Sequence, residues 1–142
     1  MKQSPDISKQ TDVVLLTENG DGITTVTLNR PNQYNALSEQ VLADMQLLLD
    51  QLSERHDIKV VIIASTGDAF CSGHDLKEMR ATPNKDYYQD LFRRCSHMMM
   101  TMVRMPQTVI TRVHGTATAA GCQLVANSDL AVASSAAQFA VS

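Results

Sequence analysis

The chain has 142 residues, 44% of them apolar, and a formal net charge of −3, which suits one ordinary globular domain. That charge offers no attraction to nucleic acid or an anionic membrane. Aromatic residues make up only 4% with no tryptophan, which disfavours base stacking, and no apolar run approaches the ~20 residues that span a bilayer.

Residues 1–11 are polar and include Asp6. They lack both the apolar core of a secretory signal and the arginine-rich, acid-poor character of a transit peptide. They read as a disordered lead-in, with residues 12–142 as the folded part. Next comes an apolar strand at residues 13–17. Glu18-Asn19-Gly20-Asp21-Gly22 is a turn, because glycine and asparagine tolerate positive φ. Residues 23–28 form the return strand of a hairpin. Arg30-Pro31 ends it, since proline has no N–H for the ladder.

Ser38 is the expected N-cap of a helix running to about Arg55. Val41, Leu42, Met45, Leu48, Leu49 and Leu52 recur at helical spacing and define its buried face. Residues 59–65 are so continuously apolar that they predict a strand buried on both faces. A long helix is expected over residues 86–105, with Leu91, Cys95, Met98, Met99 and Met102 along one side and Pro106 at its end. A strand at 108–113, a helix at 119–127 and a short strand at 129–133 complete the pattern. Ile62, Ile63, Val109 and Ile110 are expected in buried strands against the helix bearing Leu42, Leu49 and Leu52. Cys71, Cys95 and Cys122 are odd in number and widely spaced. They make neither a disulfide framework nor a zinc pattern, which points to a reducing interior.

Two glycine-centred turns stand out, each between an apolar strand and a helix. The first is Ala69-Phe70-Cys71-Ser72-Gly73-His74-Asp75-Leu76. The second is Val113-His114-Gly115-Thr116-Ala117-Thr118-Ala119-Ala120-Gly121-Cys122-Gln123-Leu124. Two such turns can aim two backbone N–H groups at one oxygen and form an oxyanion hole. That suits a thioester carbonyl that becomes an enolate or a tetrahedral oxyanion. No P-loop or dinucleotide fingerprint is present. Ser72 lacks the flanking glycines of a hydrolase nucleophile elbow, since Phe70 and His74 fill those places.

At these residues the chain resembles the crotonase family, the enoyl-CoA hydratase/isomerase superfamily. The first turn matches its A-F-x-x-G-x-D-[LI] segment. The second matches V-x-G-x-A-x-x-G-G-x-[EQ]-L, with alanine at one glycine position. Val26-Thr27-Leu28-Asn29-Arg30-Pro31 and Asn35-Ala36-Leu37-Ser38 fit its N-terminal signature. The resemblance implies an α/β fold, a crotonase-like spiral of ββα units. Family chains are roughly twice as long, so this chain is expected to hold the N-terminal part of the domain and to leave apolar faces uncovered.

The resemblance places the two backbone oxyanion donors at Ser72 and Ala120, with Gly73, His74, Asp75 and Gly121 in the substrate-binding turns. It implies a coenzyme A thioester as substrate or ligand, with no other cofactor and no metal. It also implies a homo-oligomer, a trimer or paired trimers, in the full-length form. The compartment would be the mitochondrial matrix in a eukaryote or the cytoplasm in a bacterium.

Gln123 stands where hydratases of the family carry a catalytic glutamate. An amide can orient water but cannot exchange protons near neutral pH. Gln123 therefore reads either as a water-positioning group or as a helix residue bonded to a neighbouring loop. The family's second carboxylate would fall beyond Phe139. Two functions follow: an acyl-CoA enzyme relative, or a non-catalytic acyl-CoA-binding or interaction protein. Asp75 reads as a helix-start residue. His74 is either a partner for substrate or a surrogate acid/base, and His114 is structural. In the family the loop after Arg-Pro helps hold the adenine nucleotide, often with a basic residue. Here Asn32-Gln33-Tyr34-Asn35-Ala36 lacks one, leaving Arg30 and Lys77 as candidate cations.

Overall fold

A computed structural model describes residues 12–141; the expected lead-in of residues 1–11 lies outside them. Strands β1 (Val14–Gly20) and β2 (Ile23–Leu28) form the antiparallel hairpin. The turn is tighter than the sequence pattern predicts. Asp21 and Gly22 both take positive φ, 54° and 77°, as a two-residue hairpin loop requires.

Helix α1 (Glu39–Ser53) follows, and the Ser38 side chain accepts from the Val41 N–H as the expected N-cap. Next come β3 (Val60–Ser65), β4 (Ala69–Cys71), α2 (Leu76–Ala81) and α3 (Lys85–Arg104). The chain continues through β5 (Thr108–Val113), β6 (Thr116–Thr118), α4 (Ala120–Ala126), β7 (Leu130–Ala133) and β8 (Phe139–Ala140).

The strands form two sheets. The larger has the order β1-β2-β3-β5-β7, parallel from β2 onward. The smaller is parallel, in the order β4-β6-β8. Each of β3, β5 and β7 is followed at once by a short strand of the small sheet. A helix follows β4 and β6, so these two repeats are a strand in each sheet and then a helix, the ββα unit that the resemblance implies. Periodicity missed the three short strands, because two or three residues carry no readable alternation. It also missed α2, which is too short to show a helical stripe.

One core holds the elements together. Leu42, Met45, Leu49 and Leu52 of α1, Met98 and Met102 of α3, and Val26, Leu28, Val61, Ile63 and Val109 of the large sheet are all buried in it. Fully burying a side chain of this size stabilises by about 1.5–3 kcal/mol. Met100 is the exception among the methionines of α3 and lies exposed.

The expectation of a doubly buried β3 needs correction. Val61, Ile63 and Ala64 are buried, whereas Val60 and Ile62 are only half-buried, as is Ile110 of β5. Successive side chains point to opposite faces of a sheet. One face of this sheet joins the helical core, and the other is only partly covered. Leu130, Val132 and Phe139 are likewise exposed.

Candidate functional site

The site is assembled where three loops meet. Pro31 opens a 3-10 turn, Pro31–Gln33, after which Tyr34 and Asn35 take left-handed φ values of 51° and 53°. Asparagine tolerates that region better than most residues. The Asn35 side chain holds the loop in place: its amide donates to the Thr66 carbonyl at 2.6 Å and the Ala69 carbonyl at 2.9 Å. Its own oxygen accepts from the Arg30 N–H at 2.8 Å. The loop is thereby laid along the first glycine turn.

That pairing decides which amide of the first turn is free. The Ser72 N–H donates to the Tyr34 carbonyl at 3.1 Å. Leu37 then bridges His74 in parallel fashion: the Leu37 N–H donates to the Gly73 carbonyl at 2.7 Å, and the Asp75 N–H donates to the Leu37 carbonyl at 3.3 Å. In such a bridge the residues flanking His74 supply the bonds, so the N–H and C=O of His74 itself face away. The expectation of a free donor at Ser72 is corrected here. Its N–H is committed to the Tyr34 carbonyl, and His74 carries the outward-facing amide.

The second turn meets the first through glycine. Gly121, the second residue of α4, lies flush against β4, where a Cβ would fall inside contact with the Cys71 carbonyl. Gly73 has φ +94°, and the Ala120 nitrogen lies 3.3 Å from the position its Cβ would take. Ala120 is the first residue of α4, and the first N–H groups of a helix have no intrahelical acceptor. The preceding Ala119 takes φ 51° and ψ −124°, a conformation that strains an L-residue. The Ala120 nitrogen is thus brought beside Gly73, the residue that precedes His74.

Side chains complete the surroundings. The Thr118 hydroxyl donates to the Ser72 carbonyl at 3.2 Å. A cleft of about 290 Å³ opens among Tyr34, Asp68, Ala69, Ser72, Thr116 and Thr118. The half-buried His74 ring stands edge-on to Phe92 of α3, with centroids 5.1 Å apart. Burial pushes its pKa below the ordinary histidine value, because the charged form is the more costly to desolvate. Its Nδ1 is buried with no hydrogen-bond partner.

Asp75 caps α2 as expected: its side chain accepts from the Glu78 N–H at 3.1 Å and pairs with Arg30 at 3.1 Å. Arg30 also donates to the Ala36 carbonyl, so this cation serves the loop, while Lys77 lies exposed. Gln123 is exposed on α4, and its backbone N–H donates to the Ala119 carbonyl at 3.1 Å. The exposed His114 ring, expected to be structural, places its Nε2 2.6 Å from the Gly67 carbonyl. Burial pushes the Cys71 thiol up to about 12 and the Cys95 thiol up to about 11, which removes both as nucleophiles. Among the described residues no group of three or more His, Cys, Asp or Glu could hold a metal ion. No described helix is long and apolar enough to cross a membrane.

Residues 18–142 match the family described as enoyl-CoA hydratase/isomerase. Enoyl-CoA hydratase domain-containing protein 3, mitochondrial, of Rattus norvegicus is 43% identical over 124 residues, covering 87% of this chain and 41% of the rat protein. The Homo sapiens protein of the same name is 44% identical over 120 residues, covering 84% of this chain and 40% of its own length. Among solved structures, an enoyl-CoA hydratase from Mycobacterium smegmatis is 52% identical with a TM-score of 0.90, covering 92% of this chain and 51% of that one. The structure of the human domain-containing protein 3 is 41% identical with a TM-score of 0.85, covering 89% of this chain and 50% of that one. The chain thus spans about half the length of these relatives, or somewhat less.

Proposed function

The chain belongs to the enoyl-CoA hydratase/isomerase family, and we propose that it binds acyl-CoA thioesters with the carbonyl oxygen held between the His74 and Ala120 backbone amides. The observation that carries this reading is the approach of the Ala120 nitrogen to Gly73, which sets the two turns together. Two fixed N–H donors stabilise negative charge as it develops on the thioester oxygen. Losing one such donor costs about 3 kcal/mol of barrier in enzymes that use them. Ser72 and Gly73 then line the binding turn, and Gly121 holds α4 close enough to present Ala120. The coenzyme A thioester is substrate or ligand, and the reading requires no further cofactor and no metal.

Polarising a carbonyl does not move protons. Hydration needs a group that delivers water to the β-carbon and a proton to the α-carbon. At Gln123 the side chain is an amide, so we infer that this chain hydrates enoyl-CoA poorly. A non-catalytic acyl-CoA-binding or interaction role is the second reading, and Gln123 favours it. The mitochondrial names of the relatives support a mitochondrial setting if the protein is eukaryotic; the bacterial alternative is the cytoplasm. The exposed apolar residues Leu130, Val132 and Phe139 favour self-association of this chain, and a homo-oligomer of the full-length form is part of the same proposal.

Calorimetric titration with butyryl-CoA, paired with loss of the enoyl absorbance of crotonyl-CoA, tests both readings. The expected result is saturable binding with hydration near background, and a gain in hydration with Gln123→Glu. Absence of binding would overturn the acyl-CoA assignment. Efficient hydration by the unaltered chain would overturn the account of Gln123.

A further inference from the structure

His74 supplies more than an amide. Its imidazole is on the same residue as one of the two proposed donors. Phe92 packs against the ring with a centroid distance of 5.1 Å and an interplanar angle of 67°. Nδ1 is buried and unpartnered, which leaves Nε2 as the ring nitrogen able to meet a substrate. The other polar groups of the turns are committed or unable to act as bases. Asp75 is held by Arg30 and the Glu78 N–H, Gln123 carries an amide, and the Cys71 thiol is sealed in the core.

We propose that the His74 imidazole is the base that exchanges a proton at the α-carbon of an acyl-CoA bound between the His74 and Ala120 amides. This rests on the acyl-CoA reading above. The imidazole Nε2 takes the α-proton. The C–H bonding pair moves into the Cα–C bond, and the carbonyl π pair moves onto the thioester oxygen, where the two amides receive it. The imidazolium exchanges its proton with solvent and returns one to the α-carbon. The net change in heavy water is one hydrogen replaced by deuterium, with no redox step and water as the only co-reactant. The favoured substrate class is an acyl-CoA with a saturated, enolisable α-carbon.

Butyryl-CoA is incubated with the chain in heavy water and its α-proton signal followed by nuclear magnetic resonance, alongside its dissociation constant. Two variants are compared. His74→Gln keeps the amide and hydrogen bonding but cannot accept a proton near neutral pH; His74→Phe keeps a ring against Phe92. The expected result is exchange by the unaltered chain and a loss of at least ~100-fold in both variants, in line with the usual contribution of a positioned base. Affinity should fall by no more than a few fold. Exchange in either variant at the rate of the unaltered chain would overturn the proposal, as would binding by the unaltered chain without exchange above the solvent rate. Failure to bind butyryl-CoA at all would overturn the acyl-CoA reading itself, and this proposal with it.

Discussion

Gly73 and Ala120 meet backbone against backbone: the Ala120 nitrogen lies 3.3 Å from the point where a Cβ on Gly73 would sit, and the Ala119 Cβ lies 3.1 Å from it. No side chain fits there without moving the second turn, and φ +94° at Gly73 is a conformation that L side chains rarely adopt. Gly73→Ala is therefore expected to cost about 1–3 kcal/mol from backbone strain alone. It should also weaken butyryl-CoA binding, because the Ala120 amide is pushed away. Urea denaturation with a matched titration measures both; unchanged affinity would show that this contact does not set the site.

Gly121 and Gly20 separate crowding from strain. A Cβ at Gly121 would overlap the Cys71 carbonyl and approach the Cys71 side chain, both inside the packed core. Gly20 has φ +83° but nothing within 4 Å. Gly121→Ala should cost at least ~3 kcal/mol, the upper end of what overpacking usually costs, because backbone cannot yield as a side chain can. Gly20→Ala should cost only the ~1 kcal/mol of a left-handed residue. Equal denaturation midpoints for the two variants would contradict the tight β4–α4 packing.

Ala119 offers the opposite change. With φ 51° and ψ −124° it occupies a region suited to glycine. Ala119→Gly is expected to raise stability by about 1 kcal/mol, net of the greater freedom glycine gives the unfolded chain. A shift of the urea midpoint to higher concentration checks it. A destabilised variant would mean that the Ala119 Cβ contact with Gly73 outweighs the strain.

Asp75 predicts an acid-sensitive site. Burial on its own raises this carboxyl, but the Glu78 N–H and then Arg30 outweigh it and hold the group below the usual carboxylate range. The unfolded chain therefore binds the proton more readily. The stabilisation is fully present above the ordinary aspartate value of about 4 and is lost as pH falls through the lower folded value. Asp75→Asn should remove that part of the acid sensitivity. At neutral pH it should cost little through the cap, since asparagine also caps well, and somewhat more through the lost pairing with Arg30. Denaturation midpoints between pH 7 and pH 3 for both chains test this; parallel curves would exclude Asp75 as a contributor.

Much of the architecture was readable in order along the chain. Ser38 and Asp75 announced their helices because a capping side chain acts on amides two or three residues away. The stripe from Val41 to Leu52 and that from Leu91 to Met102 appear as buried faces for the same local reason. Both glycine turns were legible as well. Gly73 and Gly121 each stand where the backbone must take an unusual φ or touch another strand, and a motif records that need.

Tertiary structure decided the rest. Ser72 and His74 lie two positions apart in one turn, and nothing local tells their amides apart. The Tyr34 carbonyl does, by occupying the Ser72 N–H, while Leu37 bonds the residues flanking His74 and turns the His74 amide outward. The short strands β4, β6 and β8 exist only through one another, since each is too brief to show a pattern of its own. The half-buried ring of His74, whose pKa burial lowers, meets Phe92 from a separate helix. Periodicity and capping are properties of neighbouring residues, so the sequence carries them openly. Hydrogen-bond pairing and desolvation between segments far apart in the chain arise only when folding brings those segments together.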